Sequence, residues 1–181
     1  MSTTSEGNPV QPVAPPALSR EGPATAPDLR ELFGQAASST WVVTGRGPHG
    51  PIGFTVISVA SASLNPPMVT FNVSQAAASL ATLRETRKAN LQLLSEGQDE
   101  VAIRFSGERH RRFDDPSVWR DGPHGCPDIL GVVGRLLVDI HELVDAGDSV
   151  VIVAEVTASE SDPTRRPLMH HNRRYTRIAN L

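Results

Sequence analysis

Cysteine is nearly missing from this chain: Cys126 is the only one in 181 residues. No disulfide can form within the chain, and a reducing compartment is expected. Aromatic residues make up only 4% of the sequence, and apolar content is moderate at 39%. No apolar run approaches the length that a bilayer span requires, which argues against a membrane helix. The N-terminus has neither a basic region nor an apolar core, so a secretory signal is not expected and a cytoplasmic protein follows. Positive charge is not in excess either. A net charge of −3 provides no basic field of the kind that nucleic-acid binding needs. A Walker loop and a Gly-x-Ser-x-Gly elbow are also absent. Histidines at 49, 110, 124, 141, 170 and 171 are scattered. His124-Gly-Cys126 is too tight and isolated for a structural zinc site, so no metal is expected. Cys126 has no neighbour pattern that marks a nucleophile.

What is present divides at about residue 28. Residues 1–27 are mostly Pro, Ser, Thr, Ala and Gly with little to bury, and are expected to form a disordered tail. Residues 28–181 are expected to form one domain with one core. Asp28 can cap a helix over 28–37, with Leu29, Leu32 and Phe33 on one face. Strand-like runs follow at 40–45, 52–60 and 68–73. Gly45-Arg-Gly-Pro-His-Gly50 is turn chemistry that makes the first two a hairpin. Ser79–Ala89 reads as a helix with Ser79 at its N-cap. A strand at 90–94 and a short helix near 98–105 come next. The Pro- and Gly-rich segment 109–127 reads as loop. Alternation of Leu136, Val138 and Ile140 marks a strand over 134–141. Asp145-Ala-Gly-Asp148 is a turn, and the apolar run Val150–Val156 is a central strand. Many short strands with few helices predict a small, mainly β barrel.

One stretch carries most of the information: Gly53-Phe-Thr-Val-Ile-Ser-Val-Ala-Ser-Ala-Ser-Leu-Asn-Pro-Pro67. It begins as a β-type run and continues in small hydroxylated residues. A ligand can approach such a backbone closely, and Ser, Thr and free N–H groups suit a phosphate or a heterocyclic edge. The same hydroxyls can simply satisfy turns. The basic clusters Arg109-His-Arg-Arg112 and Arg173-Arg174 read either as solvated faces or as a dock for an anionic cofactor tail.

The stretch resembles the pattern Gly-x-Thr-x-x-Ser-x-x-Ser-x-Ser-Leu-x-Pro-Pro of the flavin reductase family. Trp41-Val-Val-Thr44 and Gly50-Pro-Ile-Gly53 look like that family's opening strand and turn. Asn90–Ser95, Phe105-Ser-Gly107, Arg112-Phe113, Gly147-Asp148 and Pro167-Leu168 follow in the family's order, so the resemblance covers roughly residues 28–178. It implies an FMN-binding split β-barrel of Greek-key character with a few peripheral helices. It also implies a homodimer with each flavin near the subunit interface. The implied activity is that of an NAD(P)H-dependent flavin reductase using FMN or FAD, with NADH or NADPH as hydride donor and a flavin-dependent monooxygenase as partner. By the same resemblance, Thr55, Val56 and Ile57 lie along the isoalloxazine with Ser58 close by. Ser61, Ala62 and Ser63 line the ribityl and phosphate end, Ser79 meets the phosphate at a helix start, and Phe105 and Gly107 close the pocket. The family's Gly-Asp-His turn is Gly147-Asp148-Ser149 here, which puts Ser149 in the place of the nicotinamide-side His. Ala89-Asn90-Leu91-Gln92 stands where the family has Phe-x-x-Asn, a change expected at the pocket floor. His170, His171 and Tyr175 could face the cofactor ring or a C-terminal turn. The missing His leaves two alternatives open. One is an FMN-retaining oxidoreductase acting on a small organic substrate, and the other is a non-enzymatic flavin-binding protein of the same fold.

Overall fold

The computed structural model describes residues 29–122 and 125–178. The expected tail, the Asp28 cap and His124 lie outside the described residues. In chain order the elements are α1 (Leu29–Gln35), β1 (Ser38–Ser39), β2 (Trp41–Gly47), β3 (Gly50–Val56), β4 (Ala60–Leu64), β5 (Pro67–Ser74) and α2 (Ser79–Thr86). Then come β6 (Lys88–Leu93), α3 (Asp99–Ser106), a 3-10 turn (Arg109–Arg111), β7 (Trp119–Asp121) and β8 (Pro127–Ile129). The chain ends in β9 (Gly134–Ala146), β10 (Ser149–Ser161), β11 (Met169–His171) and β12 (Arg174–Thr176).

The fold is mainly β, with a seven-stranded antiparallel sheet ordered β3-β2-β6-β9-β10-β5-β4. Two small sheets, β1-β11-β12 and β7-β8, flank it. Strand alternation builds two cores. Val43, Ile52, Val56, Val69, Phe71, Leu91, Val138 and Ile152 form the larger one with Leu80 and Leu83 of α2. β3 and β5 stand at opposite ends of the sheet yet share this core, so the sheet curls around it. The hydrogen-bonded ladder does not close: β3 and β4 are its edges. The seam is held by the segment between them, where Ser58 Oγ accepts the Asn72 N–H at 3.0 Å. On the outer face, Val42, Leu94, Val101, Ala102, Phe105, Ile129 and Leu168 form the second core under α3 and β8. β2 and β6 are therefore covered on both faces.

Several expected boundaries move. The helix from Ser79 stops at Thr86, because Arg87 turns left-handed (φ 54°) and its N–H caps the Leu83 carbonyl. Lys88 and Ala89 are thereby released to pair with Asp139 and Val138. Ala78, not Ser79, occupies the N-cap position, without a side-chain cap bond. The run at 52–60 breaks after Val56, since Ala60 onward pairs with β5 instead. Within the expected loop 109–127, β7 forms by pairing with β8.

Gln92 is fully buried and does not lie at a pocket floor. Its Nε2 donates to Thr44 Oγ1 (3.1 Å) and the Pro127 carbonyl (3.2 Å), and its Oε1 accepts the Ile129 N–H. One amide thus ties β8 to the sheet. Gln92→Leu should lower stability by about 1–3 kcal/mol, the scale of buried polar groups left unpaired. Urea unfolding should show a lower midpoint at an unchanged slope; an unmoved midpoint would show that this amide does not hold β8.

Candidate functional site

The free edge of β3 is the starting point. The Thr40 carbonyl accepts the Leu94 N–H at 3.0 Å, so the even-numbered residues of β2 aim their peptide groups at β6. Gly53 lies opposite Thr44, and Thr55 opposite Val42. Both must therefore turn their N–H and C=O groups outward, away from β2. Pro51, opposite Arg46, takes the remaining outward position and needs no partner for a donor it lacks.

A cavity of about 450 Å³ runs along this edge. Gly53, Thr55 and Val56 line it from β3, Asn72–Ser74 from β5, Ala77–Ser79 from the start of α2, and Arg109, Arg112 and Phe113 from beyond α3. Gly53 has no room for a side chain, since a Cβ would come within 2.6 Å of the Phe105 ring and 3.0 Å of Phe113. The Thr55 hydroxyl donates to the Ala102 carbonyl of α3 at 2.7 Å, which leaves its peptide groups as the polar pair on the edge. Phe113 stands edge-on to Phe105 (5.2 Å) and to Trp119 (5.1 Å), and the Trp119 indole N–H donates to the Phe113 carbonyl.

Arg112 is fixed from two sides. Its Nη1 donates to the outward Gly53 carbonyl at 2.6 Å, and its Nε and Nη2 donate to the Gly107 carbonyl at 3.2 and 2.8 Å. Burial, and then the charge of Arg109, hold its guanidinium below its ordinary pKa. Neither Arg109 nor Arg112 pairs with a carboxylate among the described residues. At the other end of the cavity, Ser79 opens α2 with 6% exposure, and its hydroxyl has no hydrogen-bond partner among the described residues. First-turn N–H groups have no intrahelical acceptor. The Ala77 and Leu80 N–H groups reach Ser74 and Ala77 carbonyls, which leaves Ala78 and Ser79 as donors. The Gly147-Asp148 turn is fastened nearby, through Gln75 N–H to the Asp148 carbonyl (2.9 Å) and Gln75 Nε2 to the Gly147 carbonyl (3.1 Å). Ser149 pairs across the ladder with Ser74, and its hydroxyl donates to Asp148.

Of the residues expected from the sequence, Thr55, Val56 and Ser79 line the cavity. Phe105 and Gly107 stand one layer behind, supporting Phe113 and Arg112. Ile57 is exposed and Ser58 is spent on Asn72. Ser61 and Ala62, exposed, and Ser63, half-buried, lie on β4 beyond the cavity wall. Ser149 adjoins a lining residue without lining the cavity itself. His170 and Tyr175 meet edge-on at 5.6 Å in the small sheet, away from the cavity. The sequence reading missed Asn72 and Ala77 as wall residues. It left Arg109–Arg112 open between a solvated face and a dock for an anionic cofactor tail, and marked Arg112-Phe113 only as a motif. Cys126 is buried and its thiol pKa is pushed up by that burial, which disfavours the thiolate.

Residues 33–179 match the family model described as "Flavin reductase like domain". The chain belongs to this family. An NADH:FMN oxidoreductase of Rhodococcus qingshengii is 33% identical over 160 residues, covering 86% of this chain and 83% of the relative. The stachydrine N-demethylase reductase subunit Stc3 of Rhizobium meliloti is 35% identical over 134 residues, 74% of this chain and 58% of that protein. The solved structure of the NADH:FAD oxidoreductase SgcE6 of Streptomyces globisporus C-1027, in complex with NAD and FAD fragments, superposes with a TM-score of 0.78 at 32% identity. That superposition covers 83% of this chain and 91% of SgcE6.

Gly53→Ala tests the close approach directly. The added methyl must displace two rings, which should cost about 1–3 kcal/mol and loosen the Arg112 contact. Differential scanning calorimetry should record a lower Tm; an unchanged Tm would mean that the two rings yield freely.

Proposed function

We propose that this chain is an NAD(P)H-dependent flavin reductase that binds FMN or FAD along the free edge of β3, with residues 28–181 as its single domain. The observation that carries the reading is that one cavity joins this open edge to the start of α2, where Ser79 turns a hydroxyl with no partner among the described residues toward the same space. The residues present fit a flavin. The outward N–H and C=O of Thr55 offer a donor and an acceptor to the polar edge of an isoalloxazine. Val56, Val73 and Ala77 offer an apolar wall. Ser79 Oγ and the first-turn N–H groups of α2 suit a phosphate, which the helix dipole also favours. Ser61, Ala62 and Ser63 lie on β4, beside Val69 and Met68 of β5, where a ligand extending along β5 beyond Asn72 would meet them.

When bound, the flavin supplies the hydride acceptor and NADH or NADPH the donor. The protein's own work is to hold the flavin edge, keep one ring face open for the nicotinamide, and exclude water between them. No side chain is required to move a proton in the hydride transfer, so rate comes from positioning. Ser149, beside Ser74, takes the place of the family's nicotinamide-side His.

Relatives named as reductase subunits support release of reduced flavin to a partner monooxygenase. Leu64, 89% exposed, and Leu32 and Phe33, each 66% exposed, support a homodimer, since a second copy would cover apolar surface that water disfavours. A single buried thiol suits a cytoplasmic location.

Purified protein mixed with FMN or FAD should consume NADH or NADPH, followed at 340 nm. Ser79→Val should weaken flavin binding about tenfold, the scale of one hydrogen bond to a charged group, at unchanged Tm. Flavin retention without nucleotide oxidation would favour the oxidoreductase acting on another substrate, or the flavin-binding protein. No flavin binding at all would move the site elsewhere.

A further prediction concerns the turn. Ser149→His adds a flat ring and a donor, and should change the KM for the nicotinamide nucleotide about fivefold with flavin affinity unchanged. Equal changes in both constants would place this turn on the flavin itself.

A further inference from the structure

The cavity presents groups that attract anions on both faces of one strand. The first turn of α2 lies on the inner face of β3, where Leu80 and Leu83 join the larger core. Arg109 and Arg112 lie on the outer face, beside Phe113, which packs against the second core. A phosphate held at Ser79 therefore leaves the guanidinium pair unengaged.

Several described arginines have no carboxylate partner, but Arg109 and Arg112 are the ones that line this cavity. Arg46, Arg84, Arg104, Arg120, Arg135 and Arg165 each meet an Asp or Glu carboxylate. Arg109 and Arg112 share one cavity wall, repel each other and have no such partner among the described residues. Arg112 is half-buried and already oriented by the Gly53 and Gly107 carbonyls. A charge held in place and partly stripped of water gains more from an anion than a solvated one does. Arg109 is exposed and free to close over it.

We propose that Arg109 and Arg112 form a second anion subsite, separate from the start of α2, that takes the pyrophosphate of a dinucleotide. This rests on the flavin reading of the cavity given above. A pyrophosphate diester carries two negative charges over four non-bridging oxygens, which two forked guanidiniums can match with paired N–H donors. Two sources can supply the anion, the whole pyrophosphate bridge of NADH or the second, adenylate phosphate of FAD, whose first phosphate is the one placed at Ser79, and the experiment separates them.

Arg112 also braces the backbone, so the primary variants are Arg109→Ala and Arg109→Lys, with Tm measured to confirm folding. FMN and FAD affinities are measured by flavin titration, and the KM for NADH with FMN as acceptor. Arg109→Ala should leave FMN affinity within about twofold and weaken one pyrophosphate-bearing nucleotide about tenfold, with Arg109→Lys recovering part of the loss. A selective loss for FAD assigns the subsite to the adenylate half; a selective loss for NADH assigns it to the nicotinamide nucleotide. Equal weakening of FMN, or no change in any of the three constants, overturns the second subsite while leaving the flavin reading standing. A wild-type chain that binds neither flavin overturns both.

Discussion

Gly53 carries no side chain, and the rings of Phe105 and Phe113 occupy the space where one would stand. This close approach lets α3 and the 3-10 turn lie directly on the outer face of β3. From there the Ala102 carbonyl takes the Thr55 hydroxyl and Arg112 reaches the Gly53 carbonyl. An edge strand normally invites another strand to pair with it. Here the edge is guarded by a guanidinium and an aromatic ring, neither of which saturates it. The Thr55 peptide groups stay open, and the cavity exists because they do.

The same economy explains the split in the barrel. Curling the sheet brings β3 and β5 into one core, but the segment from Ile57 to Val59 joins them through one side-chain bond, Ser58 to Asn72, and no ladder forms. A closed ladder would leave no room for a ligand between the strands. Burial of Phe71, Val73 and Val56 beneath the seam supplies the cohesion that missing backbone bonds do not, since apolar burial is not directional.

Much of this could be read from residue order. Apolar runs placed β5 and β10, alternation placed the first half of β9, and Gly45–Gly50 marked the turn between β2 and β3. What escaped was set by partners distant along the chain. Gln92 looked like a pocket residue because its bonds to Pro127 and Ile129 join elements more than thirty residues apart. Ser79 looked like a cap, but Ala78 holds that position, and the hydroxyl left over is what makes Ser79 interesting. Arg87 ends α2 in a left-handed conformation that a non-glycine side chain rarely adopts, and no composition rule announces that. The basic run at Arg109–Arg112 admitted two readings because a sequence does not show which cations find carboxylates.

Those unpaired arginines bear on the absent imidazole. In the proposed reading, the nicotinamide must be held over the flavin without a His at 149, and serine provides neither a flat surface nor a charge. Orientation must then come from the other end of the nucleotide. A dinucleotide anchored by its pyrophosphate loses much of its rotational freedom before its ring reaches the flavin, and binding energy gained far from the reacting atoms can fix geometry at them. Where the subsite takes the nicotinamide nucleotide, the guanidinium pair and the small residue at 149 are two aspects of one arrangement, in which positioning is carried by charge at the cavity wall and not by stacking at the turn.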